Sequence, residues 1–316
     1  MSVELQVNPG RDPGPFDVDA ARVDRACAAV RAAKLRTPAV MSIGTTTLVI
    51  ESMQLTGSFK VRGAVAAISA RIDEARARGV VAASAGNHGA GVAWAARALG
   101  VRATVVVPRT APAVKRARIA ASAELILEGD GYDEAERAAI ALATERGALF
   151  LSPYDDLDVV AGNGGTLARD LEEASERASR AARILCPLGG GGLASGLVAG
   201  SSRPREVWGV QSAACPAIAR SLQRGAAIES MVADGPTLAE GLEGGVTVAA
   251  FARVRRAIAG VAVVDEASIA QAMAWAHDEL GLLLEGSAAV ALVPLVEAHA
   301  LADRAVIVLT GRNVDL

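Results

Sequence analysis

The sequence predicts an α/β protein of two lobes interleaved through one chain, each lobe a largely parallel sheet covered by helices. Three observations carry this. Short apolar strands alternate with amphipathic helices along most of the chain, the pattern of right-handed crossovers between parallel strands. The 316 residues are 52% hydrophobic and rich in Ala, Val and Gly, ample for a large core. No long linker interrupts the alternation, so the lobes share one path and leave a cleft at the carboxyl ends of the strands, where open sheets bind ligands.

Residues 1 to 16 are polar, with Pro and Gly and no apolar core segment, so neither a signal peptide nor an anchor is expected there. A helix follows over about Asp17 to Ala33, and another begins near Phe59 with Thr56 or Ser58 as its cap. Val80 to Ala83 reads as a strand, Gly89 to Leu99 as a helix closed by Gly100, and Ala103 to Val107 as a strand ended by Pro108. The unit repeats as a helix from Pro112 to Ala121, a strand from Glu124 to Leu127 and a helix from Tyr132 to Arg146 stopped by Gly147. Ala148 to Ser152 is a further strand punctuated by Pro153, and Ile184 to Leu188, Val207 to Gln211 and Ala305 to Leu309 complete the set.

Composition excludes several classes. Net charge is −3 with both signs interspersed, so there is no basic stripe for nucleic acid and no polybasic segment for a membrane surface. No apolar run reaches the roughly 20 residues that span a bilayer. Cys27, Cys186 and Cys215 lie far apart, which argues against a zinc site or a disulfide framework, with Cys186 in the core, while the absence of a signal peptide or anchor gives the expectation of a cytoplasmic protein. Small-molecule chemistry remains.

Candidate residues sit at helix starts and strand ends. Lys60 falls in the first turn of its helix, where the dipole disfavours an ammonium. Two readings stand: a solvated lysine beside Arg62, or an amine desolvated by Phe59 and Val61 that can act as base or nucleophile and carry a Schiff base. Ser84 to Gly89, between a strand and a helix, is either an ordinary capped turn or a set of amides for a carboxylate, with Asn87 free to bond a ligand oxygen. His88 by itself reads as a structural histidine. Gly189 to Gly192, between a strand and a helix, can turn several amides on one phosphate; a flexible linker is the alternative, but linkers are not set between a buried strand and a helix. The loop lacks a P-loop ending and dinucleotide spacing. At the C-terminus, in Leu309 to Asp315, Thr310 can project a hydroxyl into the cleft, or simply end its strand. Glu285 opens the apolar helix Ala288 to Val296 and reads first as its cap.

A helix-start lysine, an Asn loop, a tetraglycine turn and a terminal hydroxyl match the needs of pyridoxal 5'-phosphate. The sequence resembles the serine/threonine dehydratase group of fold type II pyridoxal-phosphate enzymes, the tryptophan synthase β-like fold, in order from about Arg36 to the C-terminus. Thr56 to Ala64, Ser84 to His88, Gly189 to Gly192, Tyr132 to Ala135 and Glu285 to Ala288 carry the family's motifs. The resemblance implies a large cofactor domain, residues 1–72 and 156–316, and a small mobile domain, residues 73–155. It implies that Lys60 holds the cofactor and removes the substrate α-proton, with Ser84 as a second catalytic residue. Phe59 would pack on the ring, Asn87 would meet its 3'-oxygen and Thr310 its nitrogen. Gly189, Gly190, Gly191, Gly192 and Leu193 would bind the phosphate, Gly241 and Glu285 would lie beside the cofactor, and Ser84, Ala85, Gly86, Asn87 and His88 would hold the substrate carboxylate. A neutral hydroxyl at the ring nitrogen leaves a weaker electron sink than a carboxylate would, which favours expulsion of a β-hydroxyl over transamination.

The implied reaction is elimination of water from threonine, serine or a related 3-hydroxy amino acid, giving a 2-oxo acid and ammonium. β-Replacement or another elimination on the same scaffold, and a non-catalytic cofactor- or amino-acid-binding protein, are the alternatives, the last opposed by an intact Lys60. Ala85 stands where the racemase branch has a second serine, which disfavours racemisation. Gln211 and Ala217 stand where relatives that bind a divalent cation have carboxylates, so no metal is expected. Substrate specificity is assigned to loops around Met53, Asn163, Gly241 and Arg312, with Arg312 either reaching an anionic substrate group or pointing to solvent. The end at Leu316, directly after the last motif, gives the expectation of no regulatory domain, and the N-terminal helix and Ala-rich surface that of a homodimer.

Overall fold

The computed structural model describes residues 3–12 and 17–314, so Asp315, the end of the C-terminal motif, lies outside the described residues. Eleven strands are described: β1 Val3–Val7, β2 Ala39–Ile43, β3 Thr46–Ile50, β4 Val80–Ala83, β5 Ala103–Val107, β6 Glu124–Leu127, β7 Leu149–Phe150, β8 Arg183–Pro187, β9 Glu206–Ser212, β10 Gly260–Val264 and β11 Ala305–Leu309. They form a seven-stranded sheet in the order β1-β10-β9-β8-β11-β3-β2 and a four-stranded sheet in the order β6-β5-β4-β7. The small sheet is wholly parallel. In the large sheet the five inner strands are parallel, and β1 and β2 join the two edges antiparallel.

The inner strands read as unbroken apolar runs because both of their faces are covered. In β11, Val306 and Val308 enter one core cluster with Ile184, Cys186 and Val207, while Ile307 and Leu309 enter the opposite one with Leu185, Trp208 and Val210. Each such side chain contributes roughly 1.5–3 kcal/mol through burial. Burial also pushes the Cys186 thiol up to about 12, as befits a core residue. The antiparallel edge strands are more exposed, with Leu5 and Val7 of β1 open to solvent.

Several elements differ from the sequence expectation. β1 arises within the stretch read only as polar; its signal is the alternation Val3, Leu5, Val7. The hairpin of β2 and β3 turns at Gly44, whose φ of +56° suits glycine. The N-terminal helix is Ala20–Ala32, its cap Asp19 accepting from the Arg22 amide at 2.7 Å. The strand at 148–152 shrinks to Leu149–Phe150, although the Leu151 amide still donates to Val81 O. The apolar helix after Glu285 is broken into Gly286–Ala289, Val290–Leu292 and Val293–Val296, with Pro294, which has no N–H to donate, opening the last piece.

The two layers meet at the helix Lys60–Ala70. It packs on the helix Asn87–Leu99 so closely that a Cβ on Gly91 would lie 3.1 Å from the Lys60 carbonyl carbon. The ends of β4, β8 and β11 thus converge around Lys60. Among the described residues no helix is long and apolar enough to cross a membrane.

Candidate active site

Neither Thr56 nor Ser58 caps the helix of Lys60. Phe59 occupies the cap position without a side-chain bond, and its amide donates to Thr310 O at 3.0 Å. A bridge between Ser58 and Gly311 completes this backbone clasp, so the C-terminal loop does what a capping side chain would otherwise do. A second tether comes from Asn163, whose Oδ1 accepts the Gly63 amide at 2.9 Å. Asn163 is buried and supports this helix. Arg62 is likewise no solvated neighbour. It is fully buried, bonded to Glu51 at 2.8 and 2.9 Å and to Asp170 at 2.7 Å, and these carboxylates hold it charged against the cost of burial.

Lys60, so anchored, is partly buried, its Nζ 5.1 Å from the centroid of the Phe59 ring. Burial lowers its pKa to about 8, with the charge of Glu285 opposing the shift. The reading of an amine desolvated for chemistry, one of the two left open by the sequence, is the one this environment fits.

Glu285 faces this amine from the large sheet. It stands at the N-cap of Gly286–Ala289 yet makes no side-chain cap bond, which corrects the expectation that it caps the helix. Its Oε1 instead accepts from Asn87 Nδ2 at 2.6 Å and its Oε2 from the Asn313 amide at 3.2 Å. Burial raises its pKa to about 7, while the Asn87 and Asn313 bonds and the charges of Lys115 and Lys60 pull it down. Asn313 Nδ2 donates to Asn87 Oδ1 at 2.6 Å and to Thr56 O at 2.9 Å. Sequence reasoning missed Asn313, because its partners are 226 and 257 positions away. Thr310 is buried beside it at the end of β11.

Within Ser84 to His88, Ser84 Oγ accepts the Gly86 amide at 3.1 Å, and Ala85 packs toward Val105 and Ile119. His88 turns away from the cleft. Its Nε2 lies 2.8 Å from Leu151 O and so carries the proton; burial and the Lys60 charge lower its pKa to about 4. Only the His88 backbone, in the first turn of its helix, is offered to a ligand.

The tetraglycine turn joins β8 to the helix Gly192–Gly200. Gly191 has φ +83°, and a Cβ there would come 2.7 Å from Val254. A Cβ on Gly190 would come 2.7 Å from the Tyr154 ring. Leu193, after the turn, shares a core cluster with Phe59, which brings the loop to the lysine. Gly241 lies against Gly189, its amide donating to Ser287 Oγ at 2.8 Å. Gln211 underpins the turn: Nε2 donates to Leu188 O at 2.9 Å and Oε1 accepts the Ala219 amide at 3.0 Å. Ala217 is buried nearby at the start of the helix Ala217–Arg224.

A desolvated amine, an Asn amide and a helix start preceded by side-chain-free backbone are a donor set that suits a carbonyl-bearing, phosphorylated ring. Tyr154 and Val254 leave no room for a Cβ on Gly190 or Gly191, so the turn presents bare backbone, and with the desolvated Lys60 amine the residues present fit pyridoxal 5'-phosphate. Met53 and the exposed Arg312, 3.4 Å apart, line a cavity of about 700 Å³ between the layers, together with Trp94 and Arg118. A second cavity, about 950 Å³, lies at the amino ends of β4 and β5 beside Arg102, away from Lys60.

Known proteins agree with this geometry. The chain is 39% identical over 275 residues to an L-threonine ammonia-lyase of Geobacter sulfurreducens, covering 84% of this chain and 66% of the relative. It is 37% identical over 278 residues to an L-threonine ammonia-lyase of Thermotoga maritima, covering 85% of this chain and 67% of that protein. The chain thus spans about two thirds of the length of these relatives. The structure of maize serine racemase superposes with a TM-score of 0.84 at 27% identity, covering 95% of each chain. The model of the pyridoxal-phosphate dependent enzymes matches residues 35–311, from the segment before β2 to the loop after β11, and the chain belongs to that family of fold type II enzymes.

Proposed function

We propose that this protein is an ammonia-lyase that dehydrates a 3-hydroxy amino acid, threonine, serine or a close relative, to a 2-oxo acid and ammonium. The observation that carries the reading is the Lys60 amine, 5.1 Å from the Phe59 ring centroid and under the charge of Glu285, with its pKa lowered by burial to about 8, in a core that joins Phe59 to Leu193 after the tetraglycine turn. The threonine ammonia-lyase names of the relatives point to the same chemistry.

When bound, pyridoxal 5'-phosphate supplies a conjugated ring that takes up negative charge from the substrate Cα. Lys60 would hold it covalently, with Phe59 on the ring face, Asn87 at the ring oxygen and Thr310 at the ring nitrogen. The amides of Gly189, Gly190, Gly191, Gly192 and Leu193 would bind its phosphate at a helix N-terminus, with Gly241 and Glu285 alongside. The backbone of Ser84, Ala85, Gly86, Asn87 and His88 would hold the substrate carboxylate, with Ser84 presenting a hydroxyl beside it. Freed by the substrate, Lys60 Nζ would take the Cα proton, being substantially neutral above its lowered pKa. Hydroxide leaves Cβ and is protonated to water; uptake of one water then releases ammonium, so no water is gained or lost overall and the products are the 2-oxo acid and ammonium. Residues 73–155 would act as a mobile lobe that closes on the carboxylate and excludes water.

Racemisation is disfavoured by Ala85, whose methyl packs into the small-sheet core and offers no proton. Three free cysteines fit a cytoplasmic protein, and the exposed Leu5 and Val7 of an edge strand fit a homodimer. The test is the 300–550 nm spectrum of the cofactor-supplemented protein, followed during addition of a panel of 3-hydroxy amino acids with assay for 2-oxo acid. A band lost in Lys60→Ala, with 2-oxo acid formed from one panel member, is expected. A band that shifts without 2-oxo acid would move the reading to β-replacement or binding, and absence of any band would end it.

A further inference from the structure

We propose that Asn313 is a positioning residue: it fixes which end of the Asn87 side-chain amide is turned to the cofactor. This rests on the reading that Asn87 meets the cofactor's ring oxygen.

The four bonds among Thr56, Asn313, Asn87 and Glu285 leave only one consistent arrangement of amides. Thr56 contributes a backbone carbonyl, which can only accept, 2.9 Å from the Asn313 amide. The NH2 end of Asn313 must therefore face it. That same NH2 group lies 2.6 Å from Asn87, so Asn87 must offer its oxygen in return. The NH2 end of Asn87 is then turned toward Glu285, where one N–H is taken at 2.6 Å and the second remains for a ligand oxygen. If Asn87 were inverted, two NH2 groups would face each other at 2.6 Å, whatever the protonation of Glu285.

The surroundings hold Asn313 to this task. Its own amide is bound to Glu285 Oε2 at 3.2 Å, fixing the backbone from which the side chain projects. Gly57, with φ +76°, leaves the room: a Cβ there would come 2.4 Å from Asn313 Oδ1. On the far side, a Cβ on Gly311 would come 2.1 Å from Glu285 Oε1. Gly57 adjoins, and Gly311 belongs to, the Ser58–Gly311 clasp that starts the Lys60 helix. The orientation of Asn87, which stands in the small-sheet half, is thereby set by a carbonyl four residues before the lysine.

The experiment is a double-mutant cycle on the full chain, with Asn313→Asp, Asn313→Ser and Asn87→Ala, singly and combined. The readouts are cofactor dissociation constants from the visible absorbance of titrated protein, the pH dependence of that band, and the thermal midpoint of each cofactor-free protein. Asn313→Asp replaces both donors by acceptors, and Asn313→Ser removes one. Each is expected to weaken cofactor binding roughly tenfold and to move the pH dependence of the band, with little added effect in the Asn87→Ala background. Wild-type binding and band in both Asn313 variants would overturn the proposal, as would full additivity with Asn87→Ala or a loss of binding that merely tracks a lowered thermal midpoint. If the wild type forms no Lys60-dependent band, the reading of the site falls and this inference with it. A normal wild-type band with indifferent Asn313 variants sinks the inference alone.

Discussion

Glu285 Oε1 and Asn87 Nδ2 meet at 2.6 Å, joining the loop before Gly286 to the first residue of the helix that follows β4. The bond explains why a carboxylate at a helix N-cap leaves the helix uncapped, and it brings an ionisable group to the Lys60 amine.

Glu285 favours the charged form of Lys60, whose pKa nevertheless falls to about 8. Only the neutral amine captures an aldehyde, so the rate of cofactor capture by the cofactor-free protein should rise about tenfold per pH unit below 8 and level off above it. Removing the carboxylate in Glu285→Gln withdraws the stabilisation of the ammonium, so the midpoint should move to lower pH. Stopped-flow growth of the visible band across pH 6 to 10 checks this, and an upward or absent shift would refute it.

The lysine's cost to folding follows from the same value. With a folded pKa of about 8 against an ordinary 10.5, the native cofactor-free protein binds fewer protons than the unfolded chain between these values. Stability therefore rises with pH across that window. Lys60→Met should be the more stable at pH 7, by roughly 3 kcal/mol at most, with the difference closing toward pH 10.5. Denaturant unfolding of both proteins at the two pH values gives the answer.

Arg62 is buried between Glu51 and Asp170, so Arg62→Met leaves two carboxylates without their cation. A loss of about 3–5 kcal/mol is expected in unfolding, because breaking one side of a buried pair strands the other. A variant within 1 kcal/mol of wild type would show that water reaches these carboxylates.

Gly191→Ala would force a side chain into a backbone at φ +83° and against Val254 at 2.7 Å. It should cost about 1–2 kcal/mol through the left-handed conformation alone and weaken phosphate-dependent binding, seen as poorer retention of the cofactor than of phosphate-free pyridoxal relative to wild type.

Gln211→Glu keeps the acceptor for the Ala219 amide but loses the donor to Leu188 O, setting an anion against a carbonyl beneath the tetraglycine turn. Thermal unfolding should show a loss of roughly 1–3 kcal/mol. A variant as stable as wild type would mean that Leu188 O finds another donor.

Much of this site was legible locally. Strands such as Val80–Ala83 and Ala305–Leu309 are marked by unbroken apolar runs, and the helix ends at Gly100 and Gly147 by glycines in the left-handed region, since burial on two faces and left-handed caps each demand particular residue types in sequence. Lys60, Asn87 and the glycines stood out because helix starts after strands have free amides wherever they occur. The bounds of the broken helix 286–296 and the short β7 were not legible, being settled by packing and by where the chain leaves the sheet.

What the sequence by itself determined is the alternation of elements, the strand ends that carry the candidate motifs and the lysine on which the proposed chemistry rests. Only the tertiary structure decided that Thr310 and Asn163, rather than Thr56 or Ser58, hold the start of the lysine helix, that His88 faces Leu151, and that Glu285 faces Asn87. The physical reason is that these choices are between hydrogen-bond partners of similar strength. A local partner such as Ser58 and a distant one such as Thr310 differ little as acceptors, so the outcome is set by which segments the packed core brings within 3 Å, and nothing in the local sequence records that.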